Sequence, residues 1–241
     1  MKQQQTPPPK PPCTYCGQPD APTKDHVIPR SLFIPPLPAN MVRVPACGSC
    51  QQEKSWGDDD LAHYVNARWA GSQHPDSLQQ IERMARATKL GRSKIGAAFM
   101  SGGRRREHLT DAGLYLGDLW EVTLPNDNRD MFATLEYIVR GLHVVRLRGM
   151  RFDRTMRRLP PECPVVVRAV DRLKAQAVVT CLDALPREVS PVMGKSTARW
   201  LHVPSADPEA GIWLLMFNNQ VSFLGATGEP VRALLDQEQA A

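Results

Sequence analysis

Two Cys-x-x-Cys pairs, Cys13/Cys16 and Cys47/Cys50, frame a stretch of thirty residues near the start of a 241-residue chain, and they constrain its folding most. Residues 13–56 also carry seven prolines, including the run PPLP at 35–38. Proline fixes φ, removes an N–H donor and restricts the residue before it, so this segment reads as short extended pieces and turns. Such pieces bury too little apolar area to hold together alone. Four thiolates arranged tetrahedrally around zinc would staple them, with metal binding supplying folding free energy directly. The remaining two cysteines, Cys163 and Cys181, lie in apolar runs and read as packing residues. Six cysteines in this length are too few for a disulfide scaffold, and the paired spacing favours metal.

Between the pairs lies TKDHVIPRSLF, with Asp25 beside His26. Aspartate offers the hard oxygen that magnesium prefers, and histidine titrates where a general base must. Asn40, just ahead of the apolar run MVRV, could hold a histidine ring in one tautomer through its amide oxygen, or simply serve a turn.

Taken in order, CTYCG, TKDHVIPRSLF and NMVRVPACGSCQQEKS resemble the HNH endonuclease family in its zinc-stapled ββα-metal form. The resemblance covers residues 13–60 and implies specific roles. Cys13, Cys16, Cys47 and Cys50 would bind a structural Zn²⁺, and Asp25 a catalytic Mg²⁺ or Mn²⁺. His26 would deprotonate the attacking water, Asn40 would orient that histidine, and Arg30, Arg43 and Lys54 would contact phosphates. The residue after the last cysteine, usually His or Asn in that family, is Gln51 here, whose longer side chain loosens a second metal ligand. Gln52, Asp58, Asp59 and His63 are candidate substitutes, His63 only if Gly57 breaks the helix; caps and surface positions compete for the aspartates.

The rest of the chain reads as α+β. Residues 1–12, with five prolines and three glutamines, form an extended leader. From Asp58 the spacing of Leu61, Tyr64 and Val65, then of Leu78, Ile81, Met84 and Ala85, predicts helices through 109, with caps at Asp58 and Asp76 and a stop at Gly102-Gly103. Beyond 110, strands are predicted at 119–125, 163–170, 198–203 and 211–226, the last turning at Asn218-Asn219. Helices are predicted at 129–147 and 171–185. The expected organisation is therefore a leader (1–12), a ββα-metal module (13–60), a basic helical connector (61–109) and an α+β accessory domain on an antiparallel sheet (110–241).

Charge concentrates after the cysteine region, nine Lys and Arg against three Asp and Glu over residues 61–110, and again in the arginines from 140 to 158. A basic excess suits a polyanion, though it suits a solvated surface equally. No long apolar run and no apolar leader segment occur, so neither a membrane span nor a secretory signal is expected, and the cytoplasm is the expected compartment. The expected activity is metal-dependent hydrolysis of nucleic acid, DNA ahead of RNA, with a homodimer and a protein partner for 110–241 in view. The alternatives are a zinc-stapled module that binds nucleic acid or protein without cutting, and a nuclease effector within a defence or mobile-element complex.

Overall fold

In a computed structural model, the structure describes residues 10–19, 21–67, 74–91, 93–110, 112–121, 129–146, 158–170, 172–182, 185–219 and 221–228. It is α+β, with antiparallel sheets throughout. After the Cys13–Cys16 turn, β1 (Thr23–His26) pairs with β2 (Arg43–Ala46), placing Asp25 opposite Val44 and His26 opposite Arg43. The connection between them contains a short 3-10 turn at Arg30–Leu32. The long helix α1 (Gly48–Ala67) follows.

The helix begins ten residues before the expected start at Asp58, which therefore lies mid-helix and caps nothing. Proline density misled that expectation: the last proline of the segment is Pro45, and nothing after it bars a helix. Cys50, Lys54, Gly57, Leu61 and Val65 recur every three or four positions and form the buried stripe of α1. Gly57 does not break the helix; it admits a neighbour. A Cβ there would lie 1.9 Å from the carbonyl oxygen of Asp130 and 2.5 Å from the Thr134 hydroxyl oxygen, both in α4 (Arg129–Arg146).

Helices α2 (Ser77–Lys89) and α3 (Lys94–Gly102) are separated at Gly91, whose φ of 71° ends the first, since a left-handed residue after a helix is most easily glycine. Asp76 does sit directly before α2, its carbonyl accepting from Gln80 N. The expected stop at Gly102-Gly103 holds, but the arginine-rich 104–109 is a strand, β3 (Arg104–Leu109), in a two-stranded hairpin with β4 (Tyr115–Glu121).

The remaining strands, β5 (Val165–Val170), β6 (Glu188–Val189), β7 (Ala198–Pro204), β8 (Gly211–Phe217) and β9 (Val221–Thr227), make one sheet in the order β5-β9-β8-β7-β6. Asn218 and Asn219 adopt φ of 49° and 59° between β8 and β9, the left-handed backbone that asparagine tolerates. Alternation along β8 sends Trp213, Leu215 and Phe217 to one face, against Leu135, Ile138, Val139 and Leu142 of α4. Leu214 faces the other way, towards Val178 and Val179 of α5 (Arg172–Leu182).

The larger core is continuous from Cys13 and Val27 through α1 and α4 to Phe223, and α1 itself crosses the expected boundary at residue 60. The segment that carries the cysteine pairs thus folds onto the C-terminal region and shares its apolar interior. Of the arginines expected along a polyanion path, Arg140 donates to the carbonyls of Pro160, Pro161 and Cys163 and is a structural clamp. Arg148, Arg151, Arg154 and Arg157 lie outside the described residues, as do residues 1–9 of the leader. Among the described residues no helix is long and apolar enough to cross a membrane.

Gly57→Ala is expected to destabilise the protein by about 1–3 kcal/mol through overpacking against α4. Gly48→Ala, where an added Cβ meets nothing within 4 Å, is expected to be neutral or stabilising. Urea unfolding of both variants checks the contrast.

Candidate metal centre and adjoining cleft

The first cysteine pair sits on a tight turn, closed by Cys13 N on Gln18 O (2.8 Å) and Gly17 N on Cys13 O (2.9 Å). The second pair spans the end of β2 and the first turn of α1, so the β1–β2 pairing brings the two together. The four sulfurs lie within 4.8 Å of one another. Zinc–sulfur bonds of about 2.3 Å imply tetrahedral edges of about 3.8 Å, and Cys16 Sγ and Cys47 Sγ stand 3.7 Å apart. Cys47 N donates to Cys13 Sγ at 3.3 Å. Burial would raise the Cys47 thiol, but the Ser49 hydroxyl, the Cys50 amide and the neighbouring thiols outweigh it and bring it down to about 6. The quartet can therefore hold a metal ion such as zinc.

A cleft of about 900 Å³ opens beside β1, lined by Asp25, His26, Arg30, Arg43, Gln51, Trp56, Asp58 and Lys94 among others. Beneath it lies a buried charge cluster. The Lys54 side chain, 1% exposed, places its ammonium 3.4 Å from Asp25 Oδ2, 3.3 Å from Asp58 Oδ1 and 3.0 Å from the His26 carbonyl oxygen. Tyr15 donates its hydroxyl to Asp25 Oδ2 at 2.7 Å. Burial pushes the Asp58 carboxyl up to about 6, with Asp25 adding to the rise and Lys54 opposing it. Lys54 is therefore not the surface phosphate contact that the resemblance implied. Its position on the buried stripe of α1 was the signal in the sequence.

His26 ends β1, half-buried, with Arg43 directly across the strand pair. Arg43 Nε donates to His26 Nε2 at 2.8 Å. Burial lowers the His26 pKa, Arg43, Arg30 and Lys54 lower it further, and Asp25 works against them. The ring is thus neutral at pH 7 and carries a lone pair for a proton. Gln51, one turn into α1, lines the same cleft with its amide oxygen 3.2 Å from the Thr23 hydroxyl.

Asn40 is elsewhere. Its amide nitrogen donates to the Val192 carbonyl at 3.1 Å, so it anchors the β1–β2 connection to the C-terminal region and lines no part of the cleft with His26. His63 is buried in the unbroken helix, between the Asp59 carbonyl and the Thr88 hydroxyl, and is no substitute ligand. Asp60 is also structural: its Oδ1 accepts from Ser93 Oγ at 2.6 Å and from Ile95 N at 3.0 Å, where the first turn of α3 leaves donors to satisfy.

The structure thus brings Asp25, His26, Arg30, Arg43 and Gln51 together as expected, places the candidate substitutes Asp58 and Asp59 in the same lining, and adds Trp56, Lys94 and Asp130, which the sequence pattern did not mark as companions. Lys94 and Asp130, 2.7 Å apart, close one wall. No family model matches this chain, and no curated protein or solved structure matches it.

Removing a buried cation strands its carboxylates. Lys54→Met is expected to cost about 3–5 kcal/mol of stability, read from urea unfolding, whereas a cost under about 1 kcal/mol would place the ammonium among exposed pairs.

Proposed function

We propose that this protein is a metal-dependent phosphodiesterase that hydrolyses nucleic acid in the cleft beside the cysteine quartet, with zinc as the structural ion. The observation that carries the reading is the meeting of a neutral His26, the adjacent Asp25 carboxylate and a rim of Lys24, Arg30 and Arg43 in one open cleft. The order β1, β2, α1, with the cysteine pairs before β1 and at the β2–α1 junction, agrees with the ββα-metal arrangement that the sequence resembles.

Asp25 and Gln51 present hard oxygens to the cleft and would hold the catalytic Mg²⁺ or Mn²⁺. When bound, the ion supplies positive charge to the phosphate and the leaving oxygen. The chain's own residues do the rest. Arg43 leaves His26 for a substrate phosphate, a stronger acceptor than a neutral imidazole, and so frees the Nε2 lone pair. His26 takes a proton from water as that water's oxygen bonds to phosphorus, and the bond from phosphorus to the 3′ oxygen breaks. The 3′ oxygen is protonated from solvent, leaving 5′-phosphate and 3′-hydroxyl ends. Lys54 grips the His26 carbonyl and Asp25 carboxylate together and keeps the base and the ion's ligand in register.

A second reading, a module that binds nucleic acid without cutting it, is favoured by one observation: Asn40 is engaged at Val192 and does not orient His26.

Plasmid nicking and single-stranded RNA cleavage with Mg²⁺ or Mn²⁺ test the two. Wild type is expected to cut, His26→Ala to lose at least about a hundredfold, and Gln51→His to need less divalent ion. Inert wild type with an active Gln51→His variant would establish the second reading. Because the His26 pKa lies below its usual 6.5, the neutral base predominates above that value. The rate of cleavage is therefore expected to rise with pH in the acid range and level off by neutrality, and a pH–rate profile checks it. Elemental analysis is expected to find one zinc per chain, lost in Cys13→Ser together with a fall in melting temperature.

A further inference from the structure

Trp56 is 58% exposed, while Trp200 and Trp213 are 3% and 0% exposed. An indole carries one of the largest apolar surfaces of any side chain, and leaving more than half of it in water forgoes stabilisation that burial would give. This ring lies on the wall of the functional cleft, on α1 beside Ser55 and within the same lining as His26, Arg30 and Arg43. An exposed aromatic next to a cationic rim has the two parts of a single-strand platform: a π-face for the base and positive charge for the backbone.

The cleft's apparent excess of acid does not oppose this. Asp25 and Asp58 share the Lys54 ammonium, Asp60 is consumed at the start of α3, Asp130 is paired with Lys94, and Asp59 has an interaction of its own. Lys24 and Arg30 are exposed at the rim. The cleft volume of about 900 Å³ lies at the roomy end of small-ligand sites and accommodates more than one nucleoside unit.

We infer that the cleft takes single-stranded nucleic acid, with an unpaired base stacked on Trp56 and the flanking phosphates held by Lys24, Arg30 and Arg43. In an intact duplex both faces of every interior base are already covered by neighbouring bases, so an indole on a cleft wall gains stacking only from a base outside the stack. The inference rests on the nucleic-acid reading of this cleft and narrows its substrate class from duplex to single strand.

Binding without added divalent ion tests it independently of cutting. Wild type, Trp56→Phe and Trp56→Ala, each checked for zinc content and helicity, are titrated with a short oligothymidylate, an abasic strand of equal length, the matching duplex, and that duplex with a one-base bulge. The expected result is quenching of tryptophan fluorescence by oligothymidylate in wild type, at least about fivefold weaker binding in Trp56→Ala, and near-complete retention in Trp56→Phe. Abasic strand and perfect duplex are expected to show no dependence on residue 56.

Equal binding of oligothymidylate by wild type and Trp56→Ala would overturn the inference. So would an equal loss on perfect duplex, which would make Trp56 a groove contact, or absence of binding to every nucleic acid, which would leave a protein partner for the exposed ring. Dependence on Trp56 confined to the bulged duplex would also overturn it, in favour of a base extruded from double strands. Stacking without cleavage by wild type would sustain the inference while removing the phosphodiesterase reading, and cleavage without any Trp56 effect would do the reverse.

Discussion

Lys54 joins three elements, β1 and α1 through its ammonium and α4 through its backbone carbonyl. The ammonium bonds the His26 carbonyl and the Asp25 carboxylate on β1 and the Asp58 carboxylate one turn along α1, while the Lys54 backbone carbonyl accepts the Thr134 hydroxyl of α4. Taking a lysine and two aspartates out of water costs several kcal/mol per ion, recovered only when geometry is good and the remaining donors are used. Here the ammonium donates to the His26 carbonyl and the Asp58 carboxylate and stands in an ion pair with Asp25. Burial is the main reason the Asp58 carboxyl is raised, with the neighbouring Asp25 adding to the rise and Lys54 opposing it.

The cysteine quartet and the lysine cluster divide the work of holding a proline-rich segment. The cysteines fix its outer end, where the first turn meets the junction of β2 and α1. Lys54 fixes its inner end against α4. Between them β1 has only four residues, too short for pairing alone to define the direction of its side chains. Anchoring both ends lets a short strand present Asp25 and His26 reproducibly.

Much of the fold was legible because its signals are local. The periodicity of 129–147 gave α4 within one residue, the two asparagines gave the β8–β9 turn, and the cysteine spacing gave the quartet. Asp25, His26 and Gln51 were legible as companions through their order around the cysteines. What stayed hidden depends on contacts between distant residues. The partner of Asn40 is Val192, 152 positions away, and no feature of the run NMVRV announces it. Lys54 reads as a surface cation unless its place on the apolar stripe of α1 outweighs its charge. The continuity of one core from Cys13 to Phe223 was equally invisible, since composition changes along the chain whether or not segments pack together.

Gly57 has a bearing on the cleft beyond packing. The backbone carbonyl of Asp130 rests where a Cβ of residue 57 would be, and the Asp130 side chain reaches Lys94 in the same wall of the cleft. The absence of one carbon in α1 thus sets how near α4 approaches, and α4 carries the wall with it. Since α4 lies on the large sheet through Val139, whose Cγ2 is 3.3 Å from where a Cβ of Gly225 would fall, the sheet acts as a distant calliper on the aperture. The large sheet thus bears on the width of a cleft that it does not line.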